Sequence, residues 1–317
     1  MRSFKRISEK FPKVRLRVGT LGTIIVGGML FSMTASMSEA KQTATLANPD
    51  TVRVLASVAK VKDAFTSAGY ELDAVRRGQV AVPRLQLASL PHDISQIRQA
   101  QDRKAVFLRY MLPYVLEANS RVQQQRTRMF SLQPKIKKRQ RLSEEEAMWL
   151  NTLYEEYRVK PGDFAALSLR VDTVPVSLAL AQAAVESGWG RSRFAQEGNA
   201  PFGQWTTKDH AGMVPKNRKE GMTHKVRSFE SLYESAESYL RNLNTHRAYK
   251  GLRELRASFR RDNATVDSRA IAGTLLKYSE KGMAYVDLLR DIIEKNDLQA
   301  LDGAQLDDAV LEVRPDA

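Results

Sequence analysis

The sequence VPVSLALAQAAVESGWGRSRFAQEGNAPFGQW, from Val174 to Trp205, predicts a buried helix in its first half. Residues 175 to 185 are almost all apolar or small, and Gly188 follows soon after the carboxylate of Glu186. Proline at the first helical position and glycine just past the end are typical of a helix. Because this helix is apolar on nearly all faces, we expect it to run through the middle of the core.

Glu186 is a lone carboxylate at the end of this apolar helix. Desolvation and the negative end of the helix dipole both disfavour the charged form, so we expect a raised pKa. A carboxylic acid that stays protonated near neutral pH is what a glycosidase needs as its general acid. The alternative is a structural acid paired with Arg191 or Arg193, and such a pair would lower the pKa instead.

Two segments of this stretch carry a family resemblance. AQAAVESGWGRSRFA at residues 181–195 and GNAPFGQW at 198–205 resemble the signature of the bacterial glucosaminidases of glycoside hydrolase family 73. NLNTHRAY at 242–249 and YSEKGMAYV at 278–286 resemble, more specifically, the Bax-type branch of that family. The resemblance extends over about residues 80 to 296. It implies a lysozyme-like α+β fold and cleavage of the β-1,4 glycan backbone of peptidoglycan.

A second carboxylate usually takes part in glycoside hydrolysis, either as the base for a water molecule or as the nucleophile. Enzymes similar to this chain place a second acid in a small β lobe, ahead of a strand that matches residues 226–229. Glu220 is therefore the candidate here, and a solvated loop charge beside Lys219 is its alternative role. If no second acid reaches the site, the N-acetyl group of the substrate could itself assist.

Aromatic residues of the resembling motifs are expected near the cleft. Tyr278 would hydrogen-bond the sugar or orient water, and Tyr285 would contact the substrate. A core tyrosine with its hydroxyl satisfied is the alternative for each, and it is favoured at Tyr285. In the cleft wall, Trp205 would stack on a sugar face and Gln204 would bond an acetamido group. The resemblance places these residues along the cleft as substrate contacts: Asn199, Phe202, Gly203, Gln204 and Trp205.

The composition gives no indication of a metal or a cofactor. The chain has 317 residues and no cysteine, which excludes disulfides, thiolate metal sites and a cysteine nucleophile. Its four histidines are scattered without metal-ligand spacing. Members of the Bax-type branch often carry a cysteine pair in the loop after FGQW. Here that loop, residues 206–215, reads TTKDHAGMVP, so the two alternatives are that packing holds it or that it is mobile.

The formal net charge of +14 is compatible with nucleic-acid binding, but the N-terminus points to export. Seven basic residues precede an uncharged run from Val18 to Ser38. This pattern is typical of a signal peptide, with a cleavage candidate at residues 38–40, and an uncleaved signal anchor is the alternative. Either way we expect the remainder in the periplasm or cell envelope, in the second case anchored in the inner membrane. A basic exported protein is attracted to the carboxylates of peptidoglycan, and no nucleic-acid partner is predicted.

Outside the central helix, hydrophobic periodicity predicts further helices on both sides. Ser143 and Glu146 form a capping box that predicts the start of one of them. Residues 210–227 have no helical period and are assigned to a small β lobe, whose clearest strand is 223–228. The C-terminal tail is acidic and has few large apolar residues, so we expect it to be disordered.

The predicted fold is α+β and mainly helical: a lysozyme-like domain with a small β lobe, preceded by an N-terminal helical extension. Five segments are predicted: 1–40, a signal peptide or signal anchor; 41–95, a spacer and extended N-terminal segment; 96–160, a helical region packing on the catalytic domain; 161–296, a glucosaminidase-like catalytic domain; and 297–317, an acidic, disordered tail.

By resemblance, the predicted function is that of an endo-β-N-acetylglucosaminidase that acts as a monomer on peptidoglycan glycan strands. Glu186 would protonate the glycosidic oxygen. Two alternatives remain open at this point. One is a non-catalytic peptidoglycan-binding or scaffolding protein on the same fold, and the other is a lytic transglycosylase.

Overall fold

The computed structural model describes residues 56–85, 87, 89–206, 212–215, 223–311 and 313. The predicted signal segment, residues 1–40, lies outside this part. The described residues fall in one compact unit. Within them, no helix has both the length and the apolar character that are needed to cross a bilayer.

Helices dominate the described part of the chain, which forms eleven α-helices. They are α1 (Val58–Ser67), α2 (Leu72–Arg76), α3 (Ala100–Lys137), α4 (Glu144–Glu156), α5 (Phe164–Arg170), α6 (Val176–Ser187), α7 (Arg193–Gly198), α8 (Leu232–Thr245), α9 (Lys250–Arg261), α10 (Ser268–Ala272) and α11 (Met283–Lys295). Short 3-10 turns lie at Ile94–Gln96, Arg247–Tyr249 and Gln299–Leu301. The predicted capping box is confirmed, since Ser143 and Glu146 exchange both of its hydrogen bonds at the start of α4.

The strands form two small sheets. The first pairs β1 (Val82–Leu85) with the C-terminal strand, Leu306–Leu311, in parallel. The second is antiparallel and contains β2 (Trp205–Thr206), β3 (Gly212–Met213) and β4 (Lys225–Arg227), with β4 in the middle. This second sheet corresponds to the predicted β lobe. The C-terminal strand of the first sheet is called β5. The predicted fold class, α+β and mainly helical with a small β lobe and an N-terminal helical extension, is confirmed.

Helix α6 lies in the middle of the core, as predicted. Ten of its twelve residues are buried, and it packs against α3, α10 and α11. The distance between packed helices depends on the side chains at the contact. Small side chains such as Ala179 and Ala183 therefore allow the neighbouring helices to approach closely, and α6 is held on several sides at once.

The segment that leads into α6 packs against α3. The side-chain amide of Asn119 donates to the carbonyl of Val174 over 2.8 Å, and its oxygen accepts from the N–H of Val174 over 3.0 Å. Both groups are buried, so the amide satisfies a backbone donor and a backbone acceptor that water cannot reach. This pair holds the residue two positions before α6 against the middle of α3.

A cluster of charges surrounds Asp172, whose side chain is only 3% exposed. Its carboxylate lies 3.6 Å from Arg126, 3.5 Å from Arg256 and 3.2 Å from Arg260. Arg126 comes from α3, while Arg256 and Arg260 come from α9. One carboxylate therefore joins two helices to the segment that leads into α6.

Arg256 is the most deeply placed member of this cluster, which we call the Asp172 cluster. Its guanidinium also donates to the backbone carbonyls of Leu169 and Thr173, over 3.0 and 2.9 Å. Burial lowers the pKa of Arg256 to about 10, so the group stays charged at neutral pH. A buried charge of this kind is stable only while its partners are in place.

Residues 297–311 of the acidic C-terminal tail are folded, in contrast to the predicted disorder. Leu298 and Leu301 are fully buried, and residues 306–311 pair with β1. The side chain of Asp302 accepts from the backbone N–H and the hydroxyl of Ser177, over 2.8 and 2.7 Å, in the first turn of α6. A few apolar side chains among many acids are enough to order residues 297–311, because Leu298 and Leu301 are buried in the core.

We expect Asp172→Asn to lower the free energy of unfolding by about 3 to 5 kcal/mol, because it leaves buried arginines without a counter-charge. Urea denaturation at pH 7 measures this loss. Glu145→Gln is the control. Glu145 pairs with Arg128 but is 82% exposed, so the Glu145→Gln protein should be as stable as the wild type. Equal stability of the two variants would contradict the role of the Asp172 cluster.

Asp302→Ala removes the carboxylate that binds the first turn of α6. The expected loss of stability is about 1 kcal/mol, as for other helix N-terminal caps. Thermal unfolding of Asp302→Ala and of Asp308→Ala provides the comparison, because Asp308 belongs to the same tail but is fully exposed. If both variants melt at the wild-type temperature, Asp302 does not stabilise α6.

Candidate functional site

The end of α6 is set by a backbone turn. Gly188 adopts the left-handed conformation with φ 58°, and the N–H of Trp189 donates to the carbonyl of Ala184 over 2.9 Å. Glycine reaches this conformation without the strain that a side chain would cause. Glu186 therefore lies in the last turn of a buried helix, half-buried at the edge of the core.

Two segments from elsewhere in the chain contact the carboxyl group of Glu186. The hydroxyl of Tyr285 on α11 donates to Oε1 over 2.8 Å. On the other side, a Cβ atom placed on Gly203 would lie only 3.2 Å from Oε2. The backbone at Gly203, with φ 61°, thus passes directly beside the second carboxyl oxygen.

The electrostatic environment of Glu186 agrees with the sequence prediction. Burial raises the pKa of Glu186, and the Tyr285 hydrogen bond and the positive charge of Lys281 oppose this rise only in part. The predicted alternative, an ion pair with a following arginine, is absent among the described residues. Arg193 instead pairs with Glu197 at 3.4 Å and donates to a backbone carbonyl of the β lobe.

Tyrosine rings form one wall of the site. The rings of Tyr278 and Tyr285 are stacked with centroids 5.6 Å apart, and Tyr249 lies 5.8 Å from Tyr278. The hydroxyl of Tyr278 donates to the carbonyl of Phe202 over 3.0 Å. Burial raises the pKa of Tyr278 well above its usual value, so its hydroxyl stays protonated and acts as a donor.

The predicted cleft-wall residues divide into buried and exposed groups. Asn199 is fully buried, and its amide donates to the carbonyls of Phe229 and Glu230 over 3.2 and 3.1 Å. Phe202 is also buried and stacks on Tyr239 at 4.1 Å. Both were predicted as substrate contacts, but in this structure packing against α8 and the segment before it keeps both side chains away from solvent.

Trp205 and Gln204 lie nearer the surface. Trp205 is 65% exposed, and one face of its ring stacks on His224 at 4.3 Å, which leaves the rest of the ring accessible. The side-chain oxygen of Gln204 is buried without a hydrogen-bond partner among the described residues. An unpaired acceptor of this kind is rare in folded proteins and suits a ligand N–H group.

The predicted second acid, Glu220, lies outside the described residues. Burial raises the pKa values of four surrounding tyrosines, and the charge of Glu186 adds to the rise in each of them: Tyr239, Tyr249, Tyr278 and Tyr285. The structure therefore brings together Glu186, Gly203, Tyr278 and Tyr285 from the predicted set.

Three residues of the site were not predicted. Tyr249 contacts Tyr278 and accepts a hydrogen bond from Asn242, and both belong to the NLNTHRAY motif, for which the sequence suggested no mechanism. Gln182 and Tyr239 are buried behind Tyr285. Gln182 carried a signal that could have been used: it is a polar residue in an apolar helix, four positions before Glu186 and thus on the same face.

Comparison with known proteins gives two matches. A family model described as mannosyl-glycoprotein endo-beta-N-acetylglucosaminidase matches residues 163–298. The chain is also similar to Protein bax of Escherichia coli (strain K12), with 32% identity over 215 residues, which covers 66% of this chain and 75% of that protein. No solved structure matches the chain. The family model includes every described residue of the site.

Gly203→Ala should raise the pKa of Glu186, because the added methyl group removes water from Oε2. It should also lower stability by about 2 kcal/mol, through backbone strain and the close contact. Gly69→Ala is a matched control, since Gly69 has a similar φ of 62° but no atom within 4 Å of the place that a Cβ would take. The expected loss of stability in Gly69→Ala is about 1 kcal/mol, from backbone strain alone. Carboxyl ¹³C titration and urea denaturation measure both effects, and an unchanged Glu186 pKa in Gly203→Ala would contradict the contact.

Proposed function

Because the chain belongs to the Bax-type glucosaminidase-domain proteins, we propose that it is a peptidoglycan hydrolase with Glu186 as general acid. Family membership supports glycosidase-like activity on a glycan substrate. The finer proposal is that the chain cleaves the β-1,4 backbone as an endo-β-N-acetylglucosaminidase. One observation carries it: Glu186 ends a buried helix, has no arginine partner among the described residues, and has its pKa raised by burial.

The proposed reaction begins with protonation of the glycosidic oxygen by Glu186. A raised pKa keeps a larger fraction of the acid protonated near neutral pH, which is the form that can donate. As the bond to the leaving sugar breaks, positive charge develops on the neighbouring ring in an oxocarbenium-like state. The carboxylate left on Glu186 then lies near that charge and stabilises it.

The surrounding residues support a glycan as the ligand. The accessible ring of Trp205 offers an apolar face on which a sugar ring could stack, as aromatic side chains do at binding surfaces. The unpaired oxygen of Gln204 could accept from the N–H of an acetamido group. Tyr278 keeps its proton and can donate to a sugar oxygen or orient water, in competition with its present bond to Phe202.

The second carboxylate remains part of the proposal. Glu220 would act as the base for the attacking water or as the nucleophile, and its distance from Glu186 would determine which. If Glu220 does not reach the site, the N-acetyl group of the substrate takes that role. We also propose that the protein is exported to the periplasm or cell envelope, on the basis of the N-terminal pattern in the sequence, and that it acts there as a monomer.

Glu186→Gln should reduce glycan cleavage by about a thousandfold, because the amide cannot donate the proton. The assay incubates purified sacculi with each protein and analyses the released fragments, with Glu220→Gln as a second arm. New reducing N-acetylglucosamine ends are expected for the wild type. Anhydro-sugar ends would indicate a lytic transglycosylase instead, and binding without new ends would indicate a wall-binding or scaffolding protein. Wild-type activity in Glu186→Gln would refute the mechanism.

The stability of the same variant gives an independent measurement. Since the pKa of Glu186 is raised in the folded state, the folded protein binds this proton more tightly than the unfolded chain does. Stability therefore falls as the pH rises from the unfolded pKa through the folded one. We expect Glu186→Gln to melt no lower than the wild type at pH 7. A clearly lower melting temperature would indicate a structural role for the carboxylate.

A further inference from the structure

A chain of hydrogen bonds leads from the interior of the protein to Glu186. The hydroxyl of Tyr239 on α8 donates to Oε1 of Gln182 over 2.6 Å. Nε2 of Gln182 on α6 donates to the hydroxyl oxygen of Tyr285 over 3.0 Å. Tyr285 on α11 then donates to Oε1 of Glu186 over 2.8 Å. Three helices thus contribute to one series of polar groups, which we call the Gln182 relay.

The relay lies in a part of the core where polar groups are unfavourable. Gln182 and Tyr239 are fully buried, and Tyr285 is nearly so. Burying an amide or a hydroxyl destabilises a protein unless its hydrogen bonds are made. An apolar residue at 182 would continue the pattern of the rest of α6, so packing alone does not require glutamine there. The polar group is therefore expected to serve the neighbouring carboxyl.

The chemistry of the amide gives the relay a direction. The carbonyl oxygen of Gln182 can only accept, and its NH₂ group can only donate. Because Tyr239 donates to that oxygen, the NH₂ group faces the hydroxyl oxygen of Tyr285. The single hydroxyl proton of Tyr285 must then point to Glu186, and Oε1 of Glu186 accepts it.

We propose that Gln182 is a positioning residue which, with Tyr239, orients the Tyr285 hydroxyl and confines the transferable proton of Glu186 to Oε2. Oε2 is the oxygen beside Gly203. The catalytic meaning of this proposal rests on the proposed function, while the proton placement is a property of the folded protein itself. With the amide reversed, Tyr285 would donate to Gln182, and Oε1 would face an oxygen without a proton.

Several other groups act on the same carboxyl and have to be separated from the relay. Tyr278 precedes α11, Tyr249 lies in the 3-10 turn before α9, and Lys281 is in the loop that enters α11. None of them bonds to Gln182 or to Tyr239 in the described part of the structure. Tyr239→Phe keeps the ring that stacks on Phe202 and removes only the hydroxyl that donates to Gln182.

Tyr239→Phe provides the sharpest test, because it deletes one buried oxygen that does not touch Glu186. Without its donor, the amide of Gln182 can rotate and accept from Tyr285, so the carboxylate form of Glu186 loses stabilisation. We expect the pKa of Glu186 to rise by about half a unit in Tyr239→Phe and by about one unit in Tyr285→Phe. Gln182→Met should raise it in the same direction.

The measurement is a pH titration of the Glu186 carboxyl carbon by ¹³C NMR, assigned by comparison with Glu186→Gln. Tyr233→Phe is the matched control, since Tyr233 lies on the same helix as Tyr239 but donates to Glu237. The control should titrate like the wild type. A Tyr239→Phe protein that folds and titrates like the control would overturn the proposal, and Gln182→Met is a second test that does not depend on Tyr239.

The titration needs no substrate, so the two proposals can fail separately. If the wild type releases no ends from sacculi, the proposed function fails, while the shift in Tyr239→Phe still decides the relay. If the wild type is active, the basic limb of its pH–activity profile should move to higher pH in Tyr239→Phe, in step with the titration. A lower rate with an unmoved limb would indicate general structural damage and would contradict the relay.

Discussion

The arrangement of this protein depends on the buried charge of Asp172 and the arginines around it. The Asp172 cluster joins α3 and α9 to the segment that enters α6. A cluster of this kind is not a strong source of net stability, because removing charges from water offsets much of their attraction. Its effect is geometric: when one partner is missing, the others are left buried and unpaired. The start of α6 is therefore held in the arrangement in which Asp172 keeps its contacts with all three arginines.

Because the start of α6 is fixed, the position of its other end is fixed as well. The helix rises about 1.5 Å per residue, so the first turn, bound by Asp302, and the last turn, with Glu186, are opposite ends of one short element. The tail, α3, α9 and α11 all contribute to holding it. The carboxyl of Glu186 is thus placed by contacts over the whole core, while its own immediate contacts are few: one tyrosine hydroxyl and the backbone of Gly203.

The few polar contacts at Glu186 are consistent with a group that has to change its charge. A carboxylate held by arginine would be stable as an anion and a poor acid. A carboxyl with no hydrogen bond at all would stay neutral and would not stabilise the anion left after proton transfer. The single hydrogen bond from Tyr285, supported by Gln182, lies between these extremes. The stacked rings of Tyr278 and Tyr285 and the buried Phe202 exclude water from one side of the Glu186 carboxyl. This exclusion keeps the carboxyl between the two extremes.

The sequence by itself determined the central helix, its end at Gly188 and the acid in its last turn, and it favoured a raised pKa for that acid over the arginine-paired alternative. These features depend on local pattern, since periodicity, capping residues and a lone charge in an apolar run act over a few residues. Tertiary structure alone decided that Asn199 and Phe202 are buried, that residues 297–311 of the acidic tail are folded and bind α6, and that Gln182 joins Tyr239 to Tyr285. Those contacts connect residues that are far apart in the chain, for example 103 positions between Gln182 and Tyr285. The partner of a buried polar group is defined only when the helices that carry both groups have packed together.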